Sequence, residues 1–252
     1  MISVCMATYN GERFIKQQID SILSQLSSDD ELIISDDGSS DNTIKFISEY
    51  NDSRIKLLHH SEKLDVSKCK YAKGFYLASS NFENALRVSK GDYIFLSDQD
   101  DVFSANKISV CMEELKKVDF VQHNFCLIDE NGKLIDNNCF GNRRFSKGIF
   151  ANLYKRPFVG CCMAFKRSVL NSVLPFPKYL IGHDLWIGVL ACTLFNGKFI
   201  ERELLQRRKH SNNVSPATSG SGNSLIFKIA YRIRLYFQLR KHLRESKKND
   251  RA

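Results

Sequence analysis

One stretch constrains this chain more than any other: Asp92-Tyr93-Ile94-Phe95-Leu96-Ser97-Asp98-Gln99-Asp100-Asp101. Tyr93 to Leu96 are apolar and follow Lys90-Gly91, which predicts a short strand buried on both faces, as inside a parallel sheet. The strand ends in acid. Extended backbone sends side chains two apart to the same side, so Asp98 and Asp100 are expected to converge while Gln99 and Asp101 face away. Hard oxygen ligands at the carboxyl end of an apolar strand stand where open α/β sheets hold ligands, and such a pair suits Mg²⁺ or Mn²⁺. The competing expectation is a solvated turn in which Asp101 or Ser104 caps a helix from Ser104 to about Lys117. Capping needs one acid, and three are present.

The rest of the pattern alternates strands with amphipathic helices. Ile2 to Ala7 reads as an opening strand, followed by Thr8-Tyr9-Asn10-Gly11, with Asn10 as the cap of a helix carrying Phe14, Ile15, Ile19, Ile22, Leu23 and Leu26. Glu31 to Ser35 is a second strand running into Asp36-Asp37-Gly38-Ser39, then a helix over about 42–50 and a short strand over 54–58. A polar loop follows to about Ser80, and a helix resumes at Asn81. Beyond the acidic strand come a strand over 118–125, a hairpin turn at Asp129 to Lys133, a polar loop over 136–147, a strand-like run from Phe158 to Phe165, a buried helix over 185–195 and a strand over 199–205. This order implies an α/β fold with a doubly wound, mostly parallel sheet.

Composition bounds the rest. Hydrophobic residues are 43% and charged residues 26% of 252, ordinary for a globular chain. No apolar run is long enough to span a bilayer, and no basic leader opens the sequence, so neither a membrane span nor a secretory signal is expected. Eight cysteines without CxxC spacing read as reduced cytosolic thiols. The net charge of +9 is uneven: residues 224–252 hold nine Lys and Arg against two acids, leaving only +2 on the other 223 residues. A basic tail on a nearly neutral body points to an anionic surface and away from nucleic acid.

In such a sheet the loops after the first, second and acidic strands open on one rim. Thr8-Tyr9-Asn10-Gly11, Asp36-Asp37-Gly38-Ser39 and Asp98-Gln99-Asp100 become neighbours. Together they match a nucleotide diphosphate: backbone and an aromatic ring, a carboxylate for a base N–H, and a cation for the diphosphate. No GxGxxG follows the first strand and no GxxxxGK[ST] occurs, which disfavours a dinucleotide fold and a P-loop NTPase.

These three motifs, in this order, resemble glycosyltransferase family two, the inverting enzymes with a GT-A fold, and the resemblance covers about residues 1 to 215. The family usually has Trp two residues after the last acid; here it is Phe103. The resemblance implies that Asp37 contacts a uracil or thymine ring with Asp36 assisting, Asp98 the ribose, and Asp100 the divalent metal. Thr8, Tyr9 and Asn10 join the nucleotide site, although Tyr9 also reads as a plain surface aromatic. The catalytic base in this family is an acid near the acceptor, and Asp184 in Gly182-His183-Asp184-Leu185-Trp186 stands in that place; the other reading of Asp184 is a helix cap. His183 replaces the commoner acid, and Trp186 reads as core or as an acceptor platform. The segment Arg207 to Asn213 resembles the family's late basic segment, which gives His210 the metal or diphosphate and Arg207 or Arg208 the leaving group. The SDQDD form is similar to transferases of bacterial surface polysaccharide. It implies dTDP-rhamnose or a UDP-hexose as donor and a lipid-linked saccharide as acceptor for O-antigen or capsule.

The expected organisation is a domain over 1–215, its nucleotide-binding half ending at residue 101, then a linker over 216–223 and a basic amphipathic helical tail over 224–252. Leu225, Ile226, Ile229, Ile233, Tyr236, Phe237, Leu239 and Leu243 recur at helical spacing in that tail. It is expected to lie on anionic lipid at the inner face of the cell membrane, or to pack on the domain or in a homodimer. Two other classes compete. Asp98-Gln99-Asp100-Asp101-Val102 also fits the signature of haloacid-dehalogenase-like phosphatases, with Asp98 as nucleophile, but that motif normally ends the first strand of its domain. A non-catalytic membrane adaptor would leave the acids dispensable. Metal-dependent binding of UDP or dTDP separates the transferase from both.

Overall fold

The computed structural model describes residues 1–61, 64–67, 69, 71–141, 144–211, 213 and 225–249. Its first half alternates β1 (Ile2–Thr8), α1 (Ile15–Leu23), β2 (Glu31–Asp36), α2 (Thr43–Ser48), β3 (Ile55–His59), α3 (Lys73–Val88) and β4 (Tyr93–Asp98). The second half runs β5 (Val102–Phe103), α4 (Lys107–Leu115), β6 (Phe120–Ile128), β7 (Leu134–Asp136), α5 (Ile149–Lys155), β8 (Met163–Lys166), α6 (Arg167–Val173), α7 (His183–Leu194), β9 (Gly197–Arg208) and α8 (Leu225–Asn249).

The nine strands of the described residues share one sheet in the order β3-β2-β1-β4-β8-β6-β9-β5, with β7 on β6. The longer ladders are parallel: β1 with β2 and β4, β2 with β3, and β6 with β9. Strand β8 runs antiparallel between β4 and β6 and joins the halves. Because side chains alternate along a strand, β1 feeds two cores. Cys5 packs with α3, α6 and α7 on one face, while Val4 and Met6 pack with α1, α2 and α4 on the other. A strand covered on both faces needs an unbroken apolar run, which is what β1, β2 and β4 supply.

Register places the rim. Thr8 stands beside Asp36, and Ala7 beside Asp98. The loops after β1, β2 and β4 therefore meet at one edge, as the motif order predicts.

Several expected boundaries move. Asn10 does not cap α1; it lies in the left-handed region at φ 49°, and its Oδ1 accepts the Ser40 N–H at 2.8 Å. Helix α3 begins at Lys73, eight residues before Asn81, because Tyr76 and Ser79 already turn inward one helical repeat ahead of Phe82. Ser104 is no cap: its N–H bonds Leu204 O in the β5–β9 ladder, and α4 starts at Lys107. Of Phe158 to Phe165 only the end is extended, since Gly160–Cys162 forms one 3₁₀ turn. Strand β9 continues through Arg208, past the expected end at Leu205. The expected linker over 216–223 lies outside the described residues.

Trp186 belongs to the core and not to an acceptor surface. It is 1% exposed, its Nε1 donates to Val173 O at 2.9 Å, and His242 of α8 meets it edge-on. Helix α7 is apolar on every side and buried, as its sequence predicts. Replacing the indole leaves the Val173 carbonyl buried without its donor. Trp186→Phe is expected to lower stability by about 1–3 kcal/mol in chemical denaturation while leaving nucleotide affinity unchanged.

Two buried imidazoles carry a pH signature. Burial pushes His123 well below its ordinary pKa, and it also lowers His183 despite the opposing Asp184 charge. Each is neutral when folded and takes up a proton when unfolded, so their stabilisation is present above about pH 6.5 and is lost as pH falls below it. Urea midpoints measured between neutral and mildly acidic pH should fall with pH, and the slope should flatten in His123→Phe.

Candidate active site

The site is assembled where three loops and the end of β9 converge. Gln99 laces the first loop to the third. Its Oε1 accepts from Thr8 Oγ1 at 2.5 Å and Tyr9 N at 2.8 Å, and its Nε2 donates to Tyr9 O at 3.0 Å. A Cβ on Gly11 would meet the Gln99 amide and force that side chain to shift. The second loop is tied in as well: Asn10 N donates to Ser39 Oγ at 2.8 Å, and Asp37 N to Thr8 O at 3.0 Å. Asp36 closes its own turn, accepting from Gly38 N at 2.8 Å, Ser39 N at 2.9 Å and Ser39 Oγ at 2.5 Å. Asp37, nearly buried, meets His60 Nδ1 at 3.0 Å, and His60 Nε2 lies 3.2 Å from Ser80 Oγ. Tyr9 stands exposed at the rim.

The acids do not follow strand alternation. β4 ends at Asp98 and the chain bends through Gln99 and Asp100, so period two stops applying. Asp101 turns inward: ligand atoms of Asp98, Asp101 and Cys161 lie within 4.8 Å of one another. Asp100 turns the other way, with Oδ2 2.6 Å from His210 Nε2 and 3.1 Å from Asn213 Nδ2. Burial and the neighbouring Asp100 charge push Asp98 above its ordinary carboxyl range, with Asp184 adding to the rise. Asp101 is pushed up by burial and by the Asp100 and Asp98 charges.

Two arginines from β9 balance this charge. Burial alone would lower Arg207, but Cys161, Asp101 and Asp98 outweigh it and hold the guanidinium charged. Arg208 is a clamp whose guanidinium is occupied by protein: Nε donates to Asp100 O at 3.0 Å, Nη1 to Asp129 O and Glu130 O at 3.1 Å, and Nη2 to Gln17 Oε1 at 2.7 Å. Its backbone N–H also bonds Asp101 Oδ1 at 3.0 Å. The expected pairing of Arg208 with a diphosphate is therefore replaced by a role in holding the acidic turn. Behind the turn, buried Lys107 donates from Nζ to Cys161 O at 2.6 Å.

Asp184 opens α7 after Gly182 at φ 78°, with Oδ1 accepting Leu185 N at 2.7 Å. His183 does not face a diphosphate. Its ring lies 4.0 Å from Phe82, its Nε2 is buried without a partner, and a Cβ on Gly160 would stand 2.9 Å from that atom. Sequence reasoning missed Gln99, Cys161 and Asn213. Gln99 was set aside by alternation, Cys161 sat in a run read as strand, and Asn213 had only its place in the basic segment as a signal.

The donor set fits a hard divalent cation. Asp101 Oδ2 is buried and unpartnered, beside the Asp98 carboxylate and within reach of the Asp100 charge. Next to it, Asp129, Glu130, Asn131, Ile135, Lys209, His210 and Ser211 line an open cleft of about 590 Å³.

The profile of Glycosyl transferase family 2 matches residues 3–174. The UDP-Glc:alpha-D-GlcNAc-diphosphoundecaprenol beta-1,3-glucosyltransferase WfgD of Escherichia coli is 31% identical over 193 residues, 75% of this chain and 70% of that protein. The dTDP-rhamnosyl transferase RfbG of Shigella flexneri is 26% identical over 251 residues, 90% of this chain and 77% of that protein. Among solved structures, S. aureus TarS 1–349 in complex with UDP-GlcNAc superposes with a TM-score of 0.64 at 17% identity, covering 87% of this chain and 61% of that one, so the chain spans less than two thirds of TarS 1–349. The superposition shows the GT-A fold, and the phosphatase and adaptor readings fall with the profile match, which runs through all three loops. The chain belongs to glycosyltransferase family 2 and is a glycosyltransferase.

Proposed function

We propose that this chain is an inverting hexosyltransferase that takes a sugar from dTDP-rhamnose or a UDP-hexose and adds it to a lipid-linked saccharide during O-antigen or capsule synthesis at the cytoplasmic face of the membrane. The observation that carries the reading is the convergence of Asp37, Asp98 and Asp100 on one rim with Asp184 close enough to raise Asp98. The names of WfgD, with its diphosphoundecaprenol acceptor, and RfbG, with its dTDP-rhamnose chemistry, support the two substrate classes.

In this reading Asp37, fixed by His60, accepts the ring N–H of the base, and Tyr9 covers it. Asp98 takes the ribose hydroxyls at the mouth of the turn. Asp100, with His210 beside it and the unpartnered Asp101 carboxylate behind, would hold Mg²⁺ or Mn²⁺, which supplies charge neutralisation for the departing diphosphate. Arg207 adds a fixed positive charge at the same place. Asp184 receives the proton of the acceptor hydroxyl as its oxygen bonds to the anomeric carbon, while the bond from that carbon to the diphosphate oxygen breaks and the electron pair leaves with the nucleotide. Attack from the face opposite the leaving group inverts the configuration. Domain limits follow the same division of labour, with 1–101 serving the nucleotide and 102–215 the acceptor.

A screen of donor hydrolysis across nucleotide sugars with Mn²⁺ and Mg²⁺ tests the reading; no turnover or metal-dependent binding of any UDP or dTDP sugar would overturn it. Asp184→Asn is expected to lower turnover by about 10²–10⁴-fold with UDP or dTDP affinity unchanged in calorimetry. Asp100→Ala should abolish transfer and also remove the gain in nucleotide affinity that Mn²⁺ gives, an effect that chelation should reproduce in the parent protein.

A further inference from the structure

Helix α8 has two apolar faces, and only one is covered. Tyr231, Leu235 and Leu239 are buried against the domain, where Arg232 Nε donates to Leu153 O of α5 and His242 Nε2 meets Ser172 O at 2.6 Å. On the opposite side, at the three- and four-residue spacing of a single helical stripe, Ile226, Ile229, Ile233 and Phe237 are 80, 50, 52 and 65% exposed. A helix that packs one face on a domain ordinarily gives the other to polar residues. Here the outer stripe is isoleucine and phenylalanine, and the same face continues into Arg240 and Arg244, with Arg234 and Lys241 alongside, all exposed. On α5, which lies beside α8, Phe150 and Tyr154 are each 77% exposed.

Charge selects the occupant. From 225 to 249 the helix carries eight Lys and Arg against one acid. A second copy docked through the stripe would bring two such basic helices flank to flank, whereas an anionic bilayer supplies the opposite sign. Long basic side chains beside an apolar stripe can reach headgroup phosphates while the stripe enters the acyl boundary. We propose that α8 docks the enzyme on anionic lipid, with Ile226, Ile229, Ile233 and Phe237 in the interface and Arg240, Lys241 and Arg244 on the headgroups, while Arg234 stays on the domain, where its Nη2 donates to Lys178 O at 3.2 Å. The reading of the preceding subsection gains a place of work from this, because a lipid-linked acceptor lies in the same surface, but the contact itself needs no donor chemistry.

Flotation of the full chain with vesicles of phosphatidylglycerol and phosphatidylcholine in equal parts, and of phosphatidylcholine alone, tests the proposal. The parent should float with the anionic vesicles only, and less as salt rises. A triple variant, Ile229→Asn with Ile233→Asn and Phe237→Ser, should lose roughly tenfold or more of that binding, and Arg240→Glu with Arg244→Glu should weaken it as well. All three proteins should keep the same thermal midpoint and the same nucleotide affinity, since these side chains face solvent. A parent that stays unbound, or a triple variant that floats as well as the parent, overturns the proposal. So does a parent dimer by light scattering that the triple variant turns into a monomer, because that assigns the stripe to a second copy. Loss of nucleotide binding in a parent that still floats would count against the transferase reading alone.

Discussion

Four carboxylates crowd one turn, and everything at the rim depends on how their mutual repulsion is compensated. Asp98, Asp100 and Asp101 lie within four residues, and Asp184 acts on Asp98 from another element. Left alone, such a group would splay into solvent or take up protons. The compensation comes from the far end of the chain. β9 pairs with β6 in a register that sets Leu127 beside Arg207 and Ile128 beside Arg208, so one guanidinium is carried among the acids and the other behind them. Arg208 then bridges α1, the acidic turn and the hairpin loop through Gln17, Asp100 and Asp129. The acids remain available to a ligand because the cations that balance them are held by backbone carbonyls and by the sheet.

The parallel core of the fold was open to reading from the chain alone, for a physical reason. Strands covered on both faces must be apolar throughout, and helices covering them must be amphipathic, so β1, β2, β4 and α7 each announce themselves. What failed was local rules applied past their range. Strand alternation was carried beyond Asp98, where the chain had already bent, and it assigned the wrong neighbours to Gln99 and Asp101. Asn10 has the chemistry of a cap but serves as a cross-link between loops, which no spacing within one loop can reveal. The start of α3 was hidden by the polar Ser79, Ser80 and Asn81, although Asn81 and Ser79 are buried there by tertiary contacts.

The tail shows the same limit in a different form. The apolar residues of the tail recur at helical spacing, yet in three dimensions Ile226, Ile229, Ile233 and Phe237 lie on one side of α8 and Leu239 on the other. Leu239 closes the core over Trp186 and its neighbours, while Ile226 and Ile233 point outward. A single amphipathic pattern has one answer; two interleaved patterns look like a weak version of one, and only the packed domain tells them apart.

The clamp made by Arg208 has a consequence for how the molecule comes into being. Its partners are contributed by Gln17, by Asp100 and Asp101, and by Asp129 and Glu130, so the link spans nearly two hundred positions of the chain. During synthesis the first four strands can pair among themselves long before β9 emerges, but the acidic turn they present then lacks its counter-charges. The acidic rim thus waits on β9 for its counter-charges, and a nascent chain stopped short of β9 would carry the first four strands in the right order around a turn that has not yet closed.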